Sequence, residues 1–330
     1  MAYKINGKEV GNIGFGLMGL TWRPDHLSDE AIFPVLRQAL ASGCNCWNAS
    51  PFYGTPDHNS LTVLRRYFEK YPEDADKALL NVKGCLRPGF KLDASADGVA
   101  WSIADSLAML GGAAKIDQFE PARKDPKVDI ETTVRSIAEH ARRGDVGGVS
   151  LSEVSAQTIR RAAEVARIES VEVELSLWST DPLENGVLET CGELGILVYA
   201  YAPLGRGMLA GGIKSPEDIV EGDLRKDYPR FQPGAFETNL RLVDEVKKLA
   251  AAKKCTPAQI AINWVLALSR RPGMPKIIPI PGASSVERVR ENAVEIELSE
   301  DDMAELDRLI REFPPVGERY PEHGMALLDR

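Results

Sequence analysis

The stretch GGVSLSEVSAQTIRRAAEVA, residues 147–166, carries the pattern that decides the fold. Gly147–Ser152 is a short run of β-forming residues, and Ser155 is a good N-cap for the amphipathic helix that follows as far as Ala166. A further β-forming run, Val171–Leu177, comes next. A strand, a helix and a second strand in this order are typical of a parallel sheet covered by helices.

The same alternation extends along most of the chain. The other predicted strands are Gly11–Phe15, Asn45–Ala49, Ala78–Lys83, Lys115–Pro121, Ile196–Tyr201 and Lys276–Pro281. The other predicted helices are Ser28–Ala41, Leu61–Lys70, Ser95–Leu110, Ile130–Arg143, Leu183–Leu194, Phe236–Lys254, Pro257–Ser269, Val286–Ala293 and Ser299–Glu312. A long connection spans 202–234, and the proline-rich tail, about 313–330, is predicted to be irregular. Eight such units predict one (β/α)8 barrel domain over residues 1–330, and an open doubly wound sheet is the alternative.

Composition narrows the class of protein. The chain has 330 residues, 44% of them hydrophobic, and a net charge of −9. An acidic chain has no electrostatic footprint for nucleic acid or for anionic membranes. The sequence begins with polar residues and contains no apolar run of about 18 residues, so neither a secretory leader nor a membrane span is expected. The five cysteines are scattered, which favours reduced thiols and a cytoplasmic protein.

Three familiar motifs are disfavoured by their context. Residues 14–19, GFGLMG, match a dinucleotide fingerprint, but a loop containing Pro24 follows and the helix waits until Ser28. Residues 207–215 resemble a phosphate-binding loop but have Ile213 where lysine is needed. The histidines have no metal-ligand spacing, so no metal site and no histidine-based catalysis is expected; they are His26, His58, His140 and His323.

Two residues at predicted strand ends have suitable chemistry for proton transfer. Lys83 ends one strand and Tyr53 follows another, and the carboxyl ends of barrel strands meet at one face. A lysine beside a tyrosine would favour tyrosinate and lower the pKa of the phenol, which would make Tyr53 a usable general acid. An ordinary solvated strand tip is the alternative for Lys83.

With these residues placed, the chain resembles the aldo-keto reductases from about Gly11 to Leu309. The family motif F-D-T-A-x-x-Y-G corresponds here to WNASPFYG, residues 47–54. Residues 16–24, 71–77 and 119–123 resemble the pyridoxal reductase branch in particular. The resemblance implies a (β/α)8 barrel that transfers hydride from NADPH to aldehydes and ketones, with pyridoxal to pyridoxine as the favoured reaction.

The resemblance also implies catalytic roles. Tyr53 falls on the proton donor and Lys83 on the catalytic lysine, whereas Asn48 stands at the usual aspartate and Ala122 at the usual histidine. Asn48 cannot supply the negative charge that normally faces the lysine. Because side chains alternate along a strand, Glu120 is expected to point into the barrel and to replace that charge.

Cofactor positions carry over in the same manner. Ser152 and Glu172 correspond to residues that hold the nicotinamide amide, and Tyr201 to the aromatic residue that stacks on the nicotinamide ring. Arg288 corresponds to the residue that grips the 2′-phosphate, which favours NADPH over NADH, although a plain surface arginine is the alternative. The other cofactor positions are Pro203, Leu204, Gly205, Arg206 and Gly207 at the pyrophosphate and Ser284, Ser285, Glu291 and Asn292 at the adenine end.

The substrate pocket is expected to have aromatic walls formed by Trp22, Phe52 and Trp178. Arg123 could meet a phenolate or carboxylate of the substrate, or could form a salt bridge to Asp125 or Asp129. The sequence thus predicts an NADPH-dependent pyridoxal reductase. The alternatives are a reductase of another small aldehyde or ketone and a catalytically weak NADPH-binding regulatory subunit.

Overall fold

The computed structural model describes residues 3–329, in which eight parallel strands form a barrel and helices cover its outside. The barrel strands are β1 (Phe15–Gly16), β2 (Cys46–Ala49), β3 (Leu79–Gly84), β4 (Gln118–Pro121), β5 (Val149–Ser152), β6 (Ile168–Glu174), β7 (Leu197–Tyr201) and β8 (Ile277–Pro279). The longer helices are α1 (Asp29–Ala41), α2 (Ser60–Lys70), α3 (Ala96–Leu110), α4 (Ile130–Arg143), α5 (Ala156–Val165), α6 (Val187–Leu194), α7 (Ala235–Lys253), α8 (Pro257–Leu268), α9 (Val286–Asn292) and α10 (Glu300–Glu312).

Backbone contacts between the first and last strands bring the sheet round into a barrel. Each strand pairs with its neighbour in sequence order. The N–H of Gly14 then donates to Pro279 O at 2.9 Å, and the N–H of Gly16 donates to Pro281 O at 3.2 Å. A Cβ on Gly14 would lie 2.6 Å from Cys46 O, so glycine is required at this junction. The predicted (β/α)8 barrel is confirmed, and two glycines of the GFGLMG motif serve its closure.

Smaller elements close the two ends of the barrel. The hairpin of Tyr3–Ile5 and Lys8–Val10 packs Ile5 and Val10 into the interior at the end where the barrel strands begin. A second hairpin, Leu86–Arg87 with Lys91–Leu92, follows β3, and short helices form at Met18–Thr21 and Glu322–Met325. The connection after β7 contains four short 3₁₀ segments, Gly205–Ala210, Pro216–Asp218, Leu224–Asp227 and Pro229–Phe231.

Several predicted boundaries were wrong for local reasons. Helix α6 begins at Val187 and not at Leu183, because Gly186 has φ +80° and a 3₁₀ turn, Asp181–Leu183, precedes it. Strand β6 begins and ends three residues earlier than predicted, since Leu175–Leu177 have the composition of a strand but lie in the loop that leaves it. The tail contains the Glu322–Met325 turn and is therefore not wholly irregular.

Side chains that alternate along the strands fill the barrel in layers. The lowest layer is largely apolar and includes Leu79, Leu197 and Ile278. The next layer is polar, and there the Tyr199 hydroxyl donates to Gln118 Oε1 at 3.0 Å. Nearest the carboxyl ends lies a charged layer of Asn48, Lys83, Glu120, Ser152, Glu172 and Tyr201. Burying so many polar groups is tolerable only if they satisfy one another, which makes this layer the candidate site.

Candidate active site

The candidate site is centred on the Tyr53 hydroxyl at the carboxyl ends of β2 and β3. Tyr53 is 7% exposed, and its hydroxyl donates to Asn48 Oδ1 at 3.3 Å. Asn48 Nδ2 in turn donates to Glu172 Oε2 at 2.6 Å and reaches Glu120 Oε1 at 3.3 Å. Asn48 therefore links the phenol to a buried charged group below it.

The chain after β2 is shaped so that Tyr53 faces this cluster. The carbonyl of Tyr53 accepts a hydrogen bond from Thr21 Oγ1 at 2.6 Å. The next residue, Gly54, has φ +121°, and a Cβ there would lie 2.2 Å from His58 O. Only glycine can make this turn, so the sequence pair Tyr53-Gly54 sets the direction of the phenol.

Lys83 lies within ion-pair distance of two carboxyl groups. Its Nζ is 2.5 Å from Glu172 Oε1 and 3.4 Å from Glu120 Oε1, and it donates to Ser152 Oγ at 3.1 Å. The Lys83–Glu120 pair that we expected from strand alternation is present. Glu172, which the sequence analysis assigned to the nicotinamide amide, lies nearer and uses both carboxylate oxygens within the cluster.

The electrostatics of Tyr53 differ from our expectation. Burial raises its pKa above the ordinary value; Lys83 opposes this shift, while Glu172 and Glu120 add to it. Burial by itself lowers the pKa of Lys83, but Glu172, Tyr53 and Glu120 outweigh burial and leave that pKa raised. The prediction of a lowered phenol pKa is therefore wrong, because burial raises the pKa of Tyr53 and the two carboxyl groups offset the lysine charge.

The pocket wall next to Tyr53 is aromatic. The ring of Trp22 lies 6.1 Å from that of Tyr53, and the ring of Phe52 lies 5.2 Å from it, edge-on. Phe90, which sequence reasoning missed, stacks on Trp22 at 5.6 Å and is 60% exposed. An exposed phenylalanine in a hairpin after β3 gives no periodic signal in the sequence, so only its position identifies it.

Trp178 does not reach the pocket surface. Its side chain is 2% exposed, packs against Phe231 with ring centroids 6.2 Å apart, and belongs to the main hydrophobic core. The predicted pocket role for Trp178 is at odds with this burial, because an indole with so little free surface offers almost none to a ligand.

Arg123 lies beside the site without a carboxylate partner. Its guanidinium donates to Ala122 O at 2.5 Å and reaches the Tyr320 hydroxyl at 3.4 Å. Among residues 3–329 no carboxylate lies within ion-pair distance of it; Asp125 instead accepts the Lys127 N–H at 2.9 Å, and Asp129 lies 4.0 Å from Arg161. The salt-bridge alternative for Arg123 is therefore not observed. Ala122, at the usual histidine position, is buried beside it.

The C-terminal strap, residues 319–329, lies across the carboxyl ends of β5, β6 and β7. Arg319 Nη2 pairs with Glu153 Oε2 at 3.0 Å, and the Tyr320 hydroxyl lies 2.7 Å from that of Tyr201. Asp329 Oδ2 accepts from Ser155 N at 3.1 Å. The sequence analysis missed these residues, since nothing in an irregular tail indicates which strand ends it will contact.

The predicted cofactor residues form an arc along the carboxyl ends of β5 to β8. Ser152 ends β5, Tyr201 ends β7, and the Tyr201 ring centroid lies 5.5 Å from Lys83 Nζ. In the loop after β7, Pro203 and Leu204 lead into Gly205 and Gly207, whose φ values are +53° and +96°. Arg206 turns away from this loop towards the strap, where it pairs with Glu174 at 3.0 Å and lies between the rings of Tyr228 and Tyr320.

The far end of the arc is the turn into α9 after β8. Ser285 caps this helix by accepting the Arg288 N–H at 3.3 Å, and Ser284 is exposed. Arg288 is exposed and pairs with Glu291 at 2.7 Å, whereas Asn292 is buried. Arg288 is free enough of the protein core to turn towards a ligand.

A comparison with protein families shows which family has this barrel sequence. The profile described as "Aldo/keto reductase family" matches residues 12–311, which is nearly the whole barrel. This chain belongs to the aldo/keto reductase family. It is therefore an oxidoreductase of a family that generally uses nicotinamide cofactors.

Two curated relatives and one solved structure illustrate the similarity. A Schizosaccharomyces pombe protein named "Probable pyridoxal reductase 2" is 39% identical, and the alignment covers 96% of each chain. Another protein of that organism, an aldo-keto reductase whose name specifies NADP(+), is 34% identical over 96% of this chain and 94% of its own. The glycerol dehydrogenase of Gluconobacter oxydans has the same fold, with a TM-score of 0.82 and 21% identity over 96% of this chain and 97% of that one.

The donor groups of this aldo/keto reductase fit a nicotinamide dinucleotide. Tyr201 offers an aromatic face, Ser152 a hydroxyl, and the glycine loop a tight backbone turn. Ser284 and Arg288 offer a hydroxyl and a guanidinium, the groups that suit a phosphate. Within residues 3–329, no group of three or more histidine, cysteine or carboxylate side chains could hold a metal ion. No helix in the same range is long and apolar enough to cross a membrane.

Proposed function

We propose that this protein catalyses the NADPH-dependent reduction of an aldehyde, with pyridoxal as substrate and pyridoxine as product. The observation that carries the proposal is the buried Tyr53 hydroxyl, linked through Asn48 to the Lys83 cluster at the mouth of the barrel. A phenol held there, next to an aromatic wall, is placed to protonate a carbonyl oxygen. The full-length relative named as a pyridoxal reductase supports the same substrate.

Each residue of the site has a defined task in this reaction. Tyr53 donates its proton to the carbonyl oxygen as that oxygen becomes an alcohol, and Lys83 stabilises the resulting tyrosinate. Ser152 and Tyr201 hold the nicotinamide, which when bound supplies the hydride for the carbonyl carbon. Orienting cofactor and carbonyl against Tyr53 provides much of the rate acceleration, because a fixed geometry replaces a rare encounter.

Arg123 supports a substrate that carries a negative oxygen near its aldehyde. Its guanidinium has no carboxylate partner within ion-pair distance in residues 3–329. Pyridoxal has a phenolic oxygen adjacent to the aldehyde, and its flat ring suits a wall formed by Trp22 and Phe52. A guanidinium whose hydrogen-bond partners are neutral gains a charge-assisted hydrogen bond when such an oxygen binds.

NADPH is proposed over NADH because of the residues after β8. Ser284, Ser285 and Arg288 offer hydroxyls and one exposed guanidinium at the adenine end. A guanidinium recognises a phosphate bidentately, which a hydroxyl of NADH cannot reproduce. The relative named with NADP(+) supports this preference.

The proposal is tested by following NADPH oxidation with purified protein, pyridoxal and a panel of other small aldehydes and ketones. Rapid oxidation with pyridoxal that is lost in Tyr53→Phe is the expected result. Turnover of other carbonyl compounds but not pyridoxal would support the reductase activity and would exclude pyridoxal as the substrate. Tight NADPH binding, measured by fluorescence, without turnover of any carbonyl compound would favour a regulatory NADPH-binding subunit instead.

A further inference from the structure

The charged layer under Tyr53 contains one cation and two carboxyl groups. The side chains of Lys83, Glu120 and Glu172 are 6%, 0% and 2% exposed. Both carboxyl groups converge on the same two nitrogen atoms, Lys83 Nζ and Asn48 Nδ2. In each case Glu172 makes the shorter contact, and Glu120 makes the longer one.

Glu120 is poorly compensated as a carboxylate. Its Oε2 has no hydrogen-bond partner in the part of the chain that the structure describes, and its Oε1 makes contacts of only 3.3 and 3.4 Å. Lys83 is the one cation within ion-pair distance of either carboxyl group in residues 3–329. Burying two negative charges against one positive charge is costly, and two carboxyls that share a site seldom both ionise.

Within residues 3–329, the groups around the pair add no second cation at ion-pair distance. The titratable groups that face the two carboxyls are Lys83 from β3, Tyr53 after β2 and Tyr199 from β7. Arg123 and Tyr201 flank Lys83, and Arg123 is not within ion-pair distance of either glutamate. Tyr199 donates its hydroxyl to Gln118, so it does not offer a proton to Glu120.

We propose that Glu120 and Glu172 share a single proton at neutral pH, so that the pair carries one negative charge matched to Lys83. Loss of this proton to solvent base breaks the carboxyl O–H bond and leaves two negative charges beneath Tyr53. Burial and the Glu172 carboxylate, opposed by Lys83, raise the pKa of Glu120 to about 8. The two carboxyls are positioning residues, because they act on Tyr53 through Lys83 and Asn48.

The consequence for turnover rests on the proposed function. Proton donation leaves a negative charge on Tyr53, and a second carboxylate nearby disfavours that charge. Reduction should therefore slow as the pH rises through about 8, because the shared proton is then lost. A carboxamide in place of Glu120 cannot ionise, so the rate of the Glu120→Gln variant should not show this fall at alkaline pH.

The shared proton itself is tested without any turnover. The pKa of Glu120 is raised in the folded protein from an ordinary value of 4.5 to about 8. The folded protein therefore binds the extra proton, and the stability that this contributes is fully present below about pH 4.5 and is lost progressively as pH rises from there to about 8. We expect the unfolding equilibrium constant of the wild type to rise relative to that of Glu120→Gln, by up to about tenfold per pH unit in this window.

Glu139→Gln is the matched control, because it makes the same carboxyl-to-carboxamide change on the exposed face of α4. The free energy of unfolding of Glu139→Gln should change with pH as that of the wild type does. If the free energies of unfolding of the wild type and Glu120→Gln change in parallel with pH, the inference is overturned.

If Glu120→Gln fails to fold, the shared proton can still be tested by infrared spectroscopy of the wild-type protein. A protonated carboxyl band should be lost between neutral pH and pH above about 8, and an unchanged band would overturn the shared proton. If the band and the stability both titrate while no carbonyl compound is reduced, the shared proton stands and the proposed function fails. If pyridoxal is reduced but neither signal titrates, the proposed function stands and this inference fails.

Discussion

Glu172 and Lys83 form the shortest contact of the buried cluster beneath Tyr53, with 2.5 Å between Oε1 and Nζ. The charge that opposes the lysine thus comes from β6, across the barrel from β2, where Asn48 stands. Because Asn48 is neutral and donates to Glu172 at 2.6 Å, it connects the phenol to this displaced charge. The site preserves a buried ion pair by relocating its negative partner.

The first prediction concerns the hydroxyl of Tyr53. Tyr53→Phe should lower kcat for pyridoxal by about 10²–10⁴-fold, because the substrate oxygen loses its proton donor. NADPH binding, measured by fluorescence, should be unchanged. Tyr71→Phe is the control, since Tyr71 lies at the end of α2 with its ring on Arg37 at 4.7 Å. Equal losses in both variants would rule out a specific role for Tyr53.

The negative charge that Glu172 supplies can be returned to position 48 by substitution. Glu172→Gln should lower kcat by about tenfold to a hundredfold, the cost of losing a hydrogen bond to a charged group. Adding Asn48→Asp to that variant restores a second carboxyl to the cluster around Lys83 and should recover part of the rate. Asn48→Asp alone would place three carboxyls around one lysine and should destabilise the protein in urea unfolding. Failure of the double variant to exceed the single one would contradict this account.

Arg288 should determine the preference for NADPH. Arg288→Ala is expected to raise KM for NADPH by about tenfold to a hundredfold and to leave KM for NADH unchanged, because only NADPH has the 2′-phosphate. Arg290→Ala is the control on the same helix; Arg290 bonds to Gln38 at 2.9 Å, away from the arc. A similar rise for both cofactors would show that Arg288 only supports the helix.

Arg319 should hold the C-terminal strap on the barrel. The side chains of Arg319 and Glu153 are 10% and 6% exposed, and removing one partner of such a buried pair costs about 3–5 kcal/mol. Arg319→Ala should therefore lower the free energy of unfolding in urea. Arg308→Ala, which removes an exposed pair with Glu305, should cost less than about 1 kcal/mol. Comparable losses would mean that the strap contributes nothing to stability.

Arg123 should select for the phenolic oxygen of the substrate. Arg123→Met keeps the length of the side chain but removes its charge, so kcat/KM for pyridoxal should fall by about tenfold to a hundredfold. Benzaldehyde, which has no such oxygen, should be affected little and serves as the control substrate. An equal loss of kcat/KM with both aldehydes would mean that Arg123 only shapes the pocket and does not recognise the phenolic oxygen.

The sequence was sufficient for the barrel and for the positions of Tyr53 and Lys83 at one end of it. Strand and helix periodicity along the chain predicts eight units, because burial of one face repeats with a fixed period in each element. The Tyr53-Gly54 pair and Lys83 each stand at the end of a strand, and in a parallel barrel all such ends meet at one face. Strand alternation likewise placed Glu120 inside the barrel, within 3.4 Å of Lys83.

Tertiary structure alone decided how the charges are shared. Glu172 is 124 residues from Asn48 in sequence, yet their side chains are 2.6 Å apart, and no local pattern encodes a contact across the barrel. The burial of Trp178, the exposure of Phe90 and the pairing of Arg319 with Glu153 depend in the same way on loops from distant strands. Periodicity reports which face of an element is buried, whereas the partner that each buried group meets is set by closure of the barrel.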